Sequence, residues 1–121
     1  MRRILAIDDE EQILDFIDRV MTHFGYDVML ASDGTEGVEM LSNGHRFDLV
    51  LTDIGMPGMN GYLVAEHVRN SERPETPVVA ITGQDSQAID RDLFNFVLMK
   101  PFRMEALVDV VKLLTKEKPL N

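Results

Sequence analysis

The sequence predicts a single α/β domain, a doubly wound parallel sheet of five strands with helices on both faces. Two observations carry that expectation. Short apolar runs suited to buried strands recur five times along the chain. Between them, apolar residues return at three- and four-residue spacings, as helical crossovers require. The 121 residues fit one domain, 1–121, large enough for a continuous core.

Arg3-Ile4-Leu5-Ala6-Ile7 is the first strand, buried on both faces because its apolar residues do not alternate with polar ones. It stops at Asp8-Asp9. From Gln12 onward Ile13, Leu14, Phe16, Ile17, Val20, Met21 and Phe24 mark a helix. Asp9 or Glu10 lies where an acid favours its start, and Gly25 is placed to end it. Tyr26 to Ala31 is a more polar strand, expected near the sheet edge. Ser32-Asp33-Gly34 is turn chemistry, followed by a short helix, Thr35 to Leu41, with Val38, Met40 and Leu41 facing in. Asn43-Gly44 closes it, and Phe47 to Thr52 is the third strand. Leu63, Val64, His67 and Val68 mark a helix that ends before Pro74 and Pro77. Val78 to Ile81 and Phe96 to Met99 are the remaining strands. Met104, Leu107, Val108, Val111, Leu113 and Leu114 form a final amphipathic helix, and Lys116 to Asn121 is a polar tail.

Composition narrows the function. A formal charge of −9, from 12 basic and 21 acidic residues, repels phosphate backbones, so no direct nucleic acid binding is expected. No apolar run is long enough to span a membrane, and the lack of an export signal makes the cytoplasm the expected compartment. The absence of cysteine excludes disulfides and thiolate metal sites. His23, His45 and His67 fall on separate elements and read as structural or surface residues, and the dispersed methionines read as core filling.

A parallel sheet places all its strand carboxyl ends on one edge, where ligands of such sheets bind. The polar residues at those ends are Asp8 and Asp9 on the first strand, Asp53 on the third, Thr82 on the fourth and Lys100 on the fifth. Each alone has a plain structural reading, as a helix start, a turn residue, a strand end or a surface charge. Their convergence on one rim shifts the reading to chemistry.

Three clustered carboxylates repel one another, and Lys100 supplies one charge against three. At an effective dielectric near 20, an opposite pair at about 4 Å is worth roughly 4 kcal/mol before desolvation, so lysine alone does not balance the cluster. A divalent cation does, and oxygen donors without His or Cys favour a hard ion such as Mg²⁺. The balanced site has room for an incoming anion. Asp53 can attack phosphorus, with Mg²⁺ and Lys100 neutralising the oxygens and Thr82 donating a hydrogen bond to one of them.

These pieces resemble the receiver domain of two-component response regulators over essentially the whole chain. The matching residues are Asp8-Asp9, Asp53-Ile54-Gly55-Met56-Pro57-Gly58-Met59-Asn60-Gly61, Thr82 and Lys100-Pro101-Phe102. The resemblance implies a flavodoxin-like sheet of order 2-1-3-4-5. It implies that Asp53 accepts phosphate from a histidine kinase or phosphotransfer protein, with Mg²⁺, or Mn²⁺ in its place, as cofactor. Asp9 and Asp53 would ligate the metal directly, Asp8 largely through water, and the Gly55 backbone carbonyl would complete the set. Lys100 would bridge to the phosphoryl group, and Lys100-Pro101 would be a cis peptide. The implied partners are that phosphodonor and a downstream protein or output domain, with homodimerisation on phosphorylation also admitted. A stand-alone receiver and part of a longer regulator are both compatible with the tail.

The chain departs from the family pattern in two places. Only seventeen residues separate Thr82 from Lys100, so the fourth helix, within Gln84 to Asn95, is expected to be short or irregular. Val97 stands where the family's switch aromatic usually lies, and the neighbouring Phe96 has the opposite strand parity. Two other functions remain beside the phosphorylated switch. One is a degenerate receiver acting as a binding module. The other is an Asp-nucleophile phosphatase, which Gly55 disfavours by standing where such enzymes carry a second acid.

Overall fold

A computed structural model describes residues 2–83 and 89–115. Its five parallel strands are β1 (Arg3–Ile7), β2 (Asp27–Ala31), β3 (Leu49–Asp53), β4 (Val78–Thr82) and β5 (Phe96–Met99), in the order β2-β1-β3-β4-β5. Four helices complete the described chain: α1 (Glu11–His23), α2 (Gly34–Ser42), α3 (Gly61–Arg69) and α4 (Met104–Leu114). The expected order and the edge position of the more polar β2 are both found. Among the described residues no helix is long and apolar enough to cross a membrane.

Side-chain alternation along the strands divides the core between the two faces of the sheet. Ile4, Ala6, Leu49, Leu51, Val79 and Ile81 pack with α1 and α4. Leu5, Ile7, Val50, Val78 and Ala80 pack with α3, and the partly buried Val38, Met40 and Leu41 of α2 join them. The side chains of α2 are only half-buried because glycine lets its backbone come close: a Cβ on Gly37 would meet the Ile7 side chain, and one on Gly34 the Met59 carbonyl. On α1 the apolar stripe is wider than the core it faces, leaving Phe16 and Phe24 on its margin. Phe16 meets the Phe102 ring edge-on, and Phe24 lies under the Lys112 ammonium. Leu63, Met104 and Leu113, taken from periodicity as inward-facing, are also exposed.

Local chemistry sets the element ends. Asp33 caps α2 by accepting from the Glu36 amide, and Glu36 reaches back to the Ser32 amide, a variant of the reciprocal capping box. Asn60 caps α3 through the Leu63 amide. Gly25, at φ 90°, ends α1 in the left-handed conformation that glycine adopts without strain.

The interval expected to carry an irregular helix between β4 and β5 falls in two parts. Residues 84–88 lie outside the described residues, and 89–95 form turns without regular helix. Ile89 and Phe94 still bury their side chains against the α3 face of the sheet. Val97 packs on that same face and Leu98 on the other, so the parity argument for Phe96 holds.

Candidate functional site

The carboxyl ends of β1, β3, β4 and β5 form the rim. Asp8 follows β1 and is held there by its amide, which donates to the Ala31 carbonyl at 3.1 Å. Asp53 is the last residue of β3, and the next amide, of Ile54, donates to Ile81 of β4. Thr82 ends β4 and is buried, and its carbonyl accepts the Lys100 amide at 2.8 Å. Lys100 is thereby fixed by its backbone before its side chain is considered, and the Lys100–Pro101 peptide is cis.

The Lys100 ammonium lies 3.0 Å from Asp8 Oδ2, 3.5 Å from Asp53 Oδ2 and 2.9 Å from Glu10 Oε1. Asp8 is fully buried, Asp53 nearly so, and Glu10 is exposed. Burial pushes the Asp8 carboxyl above the usual aspartate range. Its hydrogen bonds with the Glu10 amide and Lys100 oppose that rise, and the Asp53 charge adds to it. Burial also works against the charge on Lys100, but its hydrogen bonds to Glu10 and Asp8 and the field of Asp8 and Asp53 raise its pKa overall. The ammonium stays charged and links two strands distant in the chain.

Asp8, Asp53 and Lys100 are therefore brought together, with Thr82 beside them on the rim. Asp9 is exposed, and the carboxylates of Asp8, Glu10 and Asp53 are the three that approach within 4.8 Å of one another. Gly55 is exposed, and its amide donates to Asp53 Oδ1 at 3.3 Å, turning the chain just beyond the strand.

The donor set suits a hard divalent cation. All its ligand atoms are oxygens, three carboxylates face one ammonium, and the buried Asp8 Oδ2 faces that shared ammonium at 3.0 Å. A cation there would relieve the repulsion that burial intensifies.

The sequence profile of the response regulator receiver domain matches residues 4–112, nearly the whole chain. The chain belongs to the response regulator receiver family. Among curated relatives, the transcriptional regulatory protein DltR of Streptococcus agalactiae is 35% identical over 98% of this receiver and 54% of its own length. Response regulator MprA of Mycobacterium leprae is 33% identical over 97% of this receiver and 53% of its own length. The receiver thus spans about half the length of the curated relatives it matches. A CheY-like receiver domain protein from Methanospirillum hungatei superposes with a TM-score of 0.89 at 28% identity, covering 96% of this chain and 94% of its own. The response regulator TrrA of Thermotoga maritima, solved in complex with Mg(2+)-BeF, gives 0.85 at 28% identity, over 94% and 99% of the two chains.

Sequence reasoning on the receiver missed two features. Glu10 reads from sequence as an acid at the start of α1, and its place two residues beyond Asp8, at the turn out of β1, is the one signal that it shares a face with Asp8. Arg69, at the end of α3, donates to the carbonyls of Pro74, Thr76 and Leu93 and to Asn95 Oδ1, all at 2.7 to 2.8 Å. Burial lowers its pKa, and every one of those four acceptors is uncharged. His45 and His67 line a groove of about 680 Å³ beside the α2–β3 and α3–β4 connections, at the sheet edge opposite the rim. None of the rim residues takes part in it.

Proposed function

We propose that this receiver is a phosphorylated switch in which Asp53 accepts a phosphoryl group from a phosphohistidine of a kinase or phosphotransfer protein. The observation that carries this reading is the bridge from Lys100 to Asp8 and Asp53, which joins the ends of three strands around one carboxylate. In the transfer, an Asp53 oxygen forms a bond to phosphorus as the bond from phosphorus to the imidazole nitrogen breaks. The electron pair of that bond stays on the nitrogen, which later takes up a proton. Lys100 faces the charge on the oxygens, and Thr82 lies on the rim to hydrogen-bond one of them.

Mg²⁺, or Mn²⁺, would be held by Asp8, Asp9 and Asp53 with the Gly55 carbonyl, and would supply charge neutralisation for the phosphoryl oxygens when bound. The relative solved with Mg(2+)-BeF supports a site that takes a cation and an anion together. The downstream partner is a protein or an attached output domain. The transcriptional role in the relatives' names belongs to proteins about twice the matched length, and the receiver's own charge of −9 disfavours contact with nucleic acid. The expected setting is the cytoplasm.

The test is incubation with Mg²⁺ and acetyl phosphate, followed by mass spectrometry to locate the added group, with Asp53→Asn as control. An adduct on Asp53 that the variant lacks is the expected result, and its absence from the wild type would overturn the reading. A receiver used only for binding is the second reading, favoured by the turns at 89–95 and by Val97 in place of an aromatic. It predicts a partner whose affinity is the same for wild type and Asp53→Asn, with or without acetyl phosphate.

A further inference from the structure

Three carboxylates compete for one ammonium at the rim, and the competition is uneven. The residue read above as the phosphoacceptor, Asp53, makes the longest contact, at 3.5 Å. The shortest, 2.9 Å, belongs to Glu10, whose side chain is 60% exposed. Glu10 has another use open to it that it does not take. It is the N-cap residue of α1, where a carboxylate can accept from the first free amides, yet its side chain makes no capping bond. Instead it crosses to a lysine ninety positions further along the chain.

The backbone of Glu10 is tightly placed for this. Its amide donates to Asp8 Oδ1 at 2.8 Å, and its carbonyl accepts from the Ile13 and Leu14 amides at 3.0 and 3.2 Å. A fixed main chain with an exposed, reaching side chain can hold the ammonium or release it without moving a strand. Asp8, by contrast, is buried and can only hold it.

We propose that Glu10 is a positioning residue, a latch that retains Lys100 at the mouth of the site in the unphosphorylated receiver and yields it to the phosphoryl group. This rests on the phosphoacceptor reading of Asp53. A phosphoryl group brings up to two negative charges, so at equal distance it attracts the ammonium about twice as strongly as one carboxylate. The exposed Glu10 contact is further weakened by water and salt, which makes it the first of the three to give way. Glu10 therefore slows phosphorylation by withholding Lys100, and the completed acyl phosphate releases the latch.

Glu10→Gln removes the competing charge with little change in size, and Glu11→Gln removes the same charge from the neighbouring exposed position, whose side chain is not among the Lys100 partners. Two readouts are compared in both variants. The first is the rate of Lys100 modification by an amine-reactive reagent in the unphosphorylated protein, mapped by mass spectrometry. It should rise severalfold in Glu10→Gln, because the ammonium then loses its shortest contact and is freer to meet the reagent at the mouth of the site, and stay at the wild-type value in Glu11→Gln. The second is the rate of Asp53 phosphorylation by acetyl phosphate with Mg²⁺, which should rise severalfold in Glu10→Gln alone. Unchanged Lys100 reactivity in Glu10→Gln overturns the latch, as does faster modification without faster phosphorylation. An equal gain in Glu11→Gln also overturns it, by reducing the effect to net charge. A wild-type protein that takes no phosphoryl group on Asp53, with Lys100 nevertheless unmasked by Glu10→Gln, refutes the phosphoacceptor reading and the latch's role while leaving the contact itself established.

Discussion

Arg69 and Asn95 meet at 2.7 Å through Nη2 and Oδ1, and that same oxygen also accepts the Val78 amide at 2.9 Å. One side-chain oxygen thus joins the end of α3, the start of β4 and the approach to β5. Tyr62, at the other end of α3, stacks edge-on against Phe94 with ring centroids 5.6 Å apart. The segment that replaces a regular helix is consequently tied at both ends of α3, the helix that follows the Asp53 loop. Arg69→Ala removes four hydrogen bonds from a charged donor and should lower the unfolding free energy by about 3 kcal/mol, read from urea denaturation. Arg69→Lys keeps the charge and loses the fork, so it should recover only a minor part. Full recovery by lysine would show that charge alone matters.

Asp8 sets a pH dependence in the metal-free protein. Burial raises its folded pKa above the ordinary 3.8, so its contribution to stability is complete below that value and is lost as pH rises through the folded pKa. At neutral pH the ionised group therefore counts against the fold. Asp8→Asn should melt higher than wild type near pH 7, with the gap closing as pH falls towards about 4. Added Mg²⁺ should stabilise the wild type more than the variant. Parallel melting curves across that range would refute the cause assigned to the shift.

Gly61 tests how closely helix and strand approach. A Cβ there would strike the Asp53 carbonyl, whereas one at Gly37 would meet the Ile7 side chain, its Cδ1 first. Helix propensity favours alanine at both positions by up to about 1 kcal/mol. Gly61→Ala should nevertheless destabilise by about 2 kcal/mol, as overpacking does, and slow phosphorylation of Asp53. Gly37→Ala should be milder, since the Ile7 side chain yields more readily than the backbone of β3. Equal stabilities by chemical denaturation would contradict this ordering.

Asp9 separates the two descriptions of the metal site. It is exposed and stands outside the group of Asp8, Glu10 and Asp53. If it turns in to ligate Mg²⁺, Asp9→Ala should weaken the affinity more than Asp8→Ala, as measured by calorimetric titration. Unchanged affinity in Asp9→Ala would remove it from the ligand set.

Asp8, Asp53, Thr82 and Lys100 could be brought to one rim from sequence because parallel topology dictates where strand ends lie, whatever the side chains do next. The edge position of β2 was legible in its polarity, whereas the full order 2-1-3-4-5 came with the family resemblance. Side-chain direction at the first turn of α1 was not. Whether Asp9 or Glu10 faces Lys100 depends on a rotation of about 100° per residue where strand gives way to helix, and no periodicity reports it. Arg69 was illegible for a different reason. A lone arginine at a helix end reads as a solvated charge until the backbone carbonyls of two loops are seen converging on it.

The central position of β3 has a mechanical consequence. Its neighbours β1 and β4 grip it from both sides up to Thr52 and Asp53, and all five of its residues are buried. Asp53 is in effect the anvil of the domain, whereas Asp9, Glu10, Gly55 and Lys100 all sit on connections beyond the strand ends. A charge added to the anvil cannot push it aside. If Asp53 takes a phosphoryl group, as proposed, the displacement falls to the connections, and the difference in stiffness between strand and loop sets the direction in which the signal leaves it.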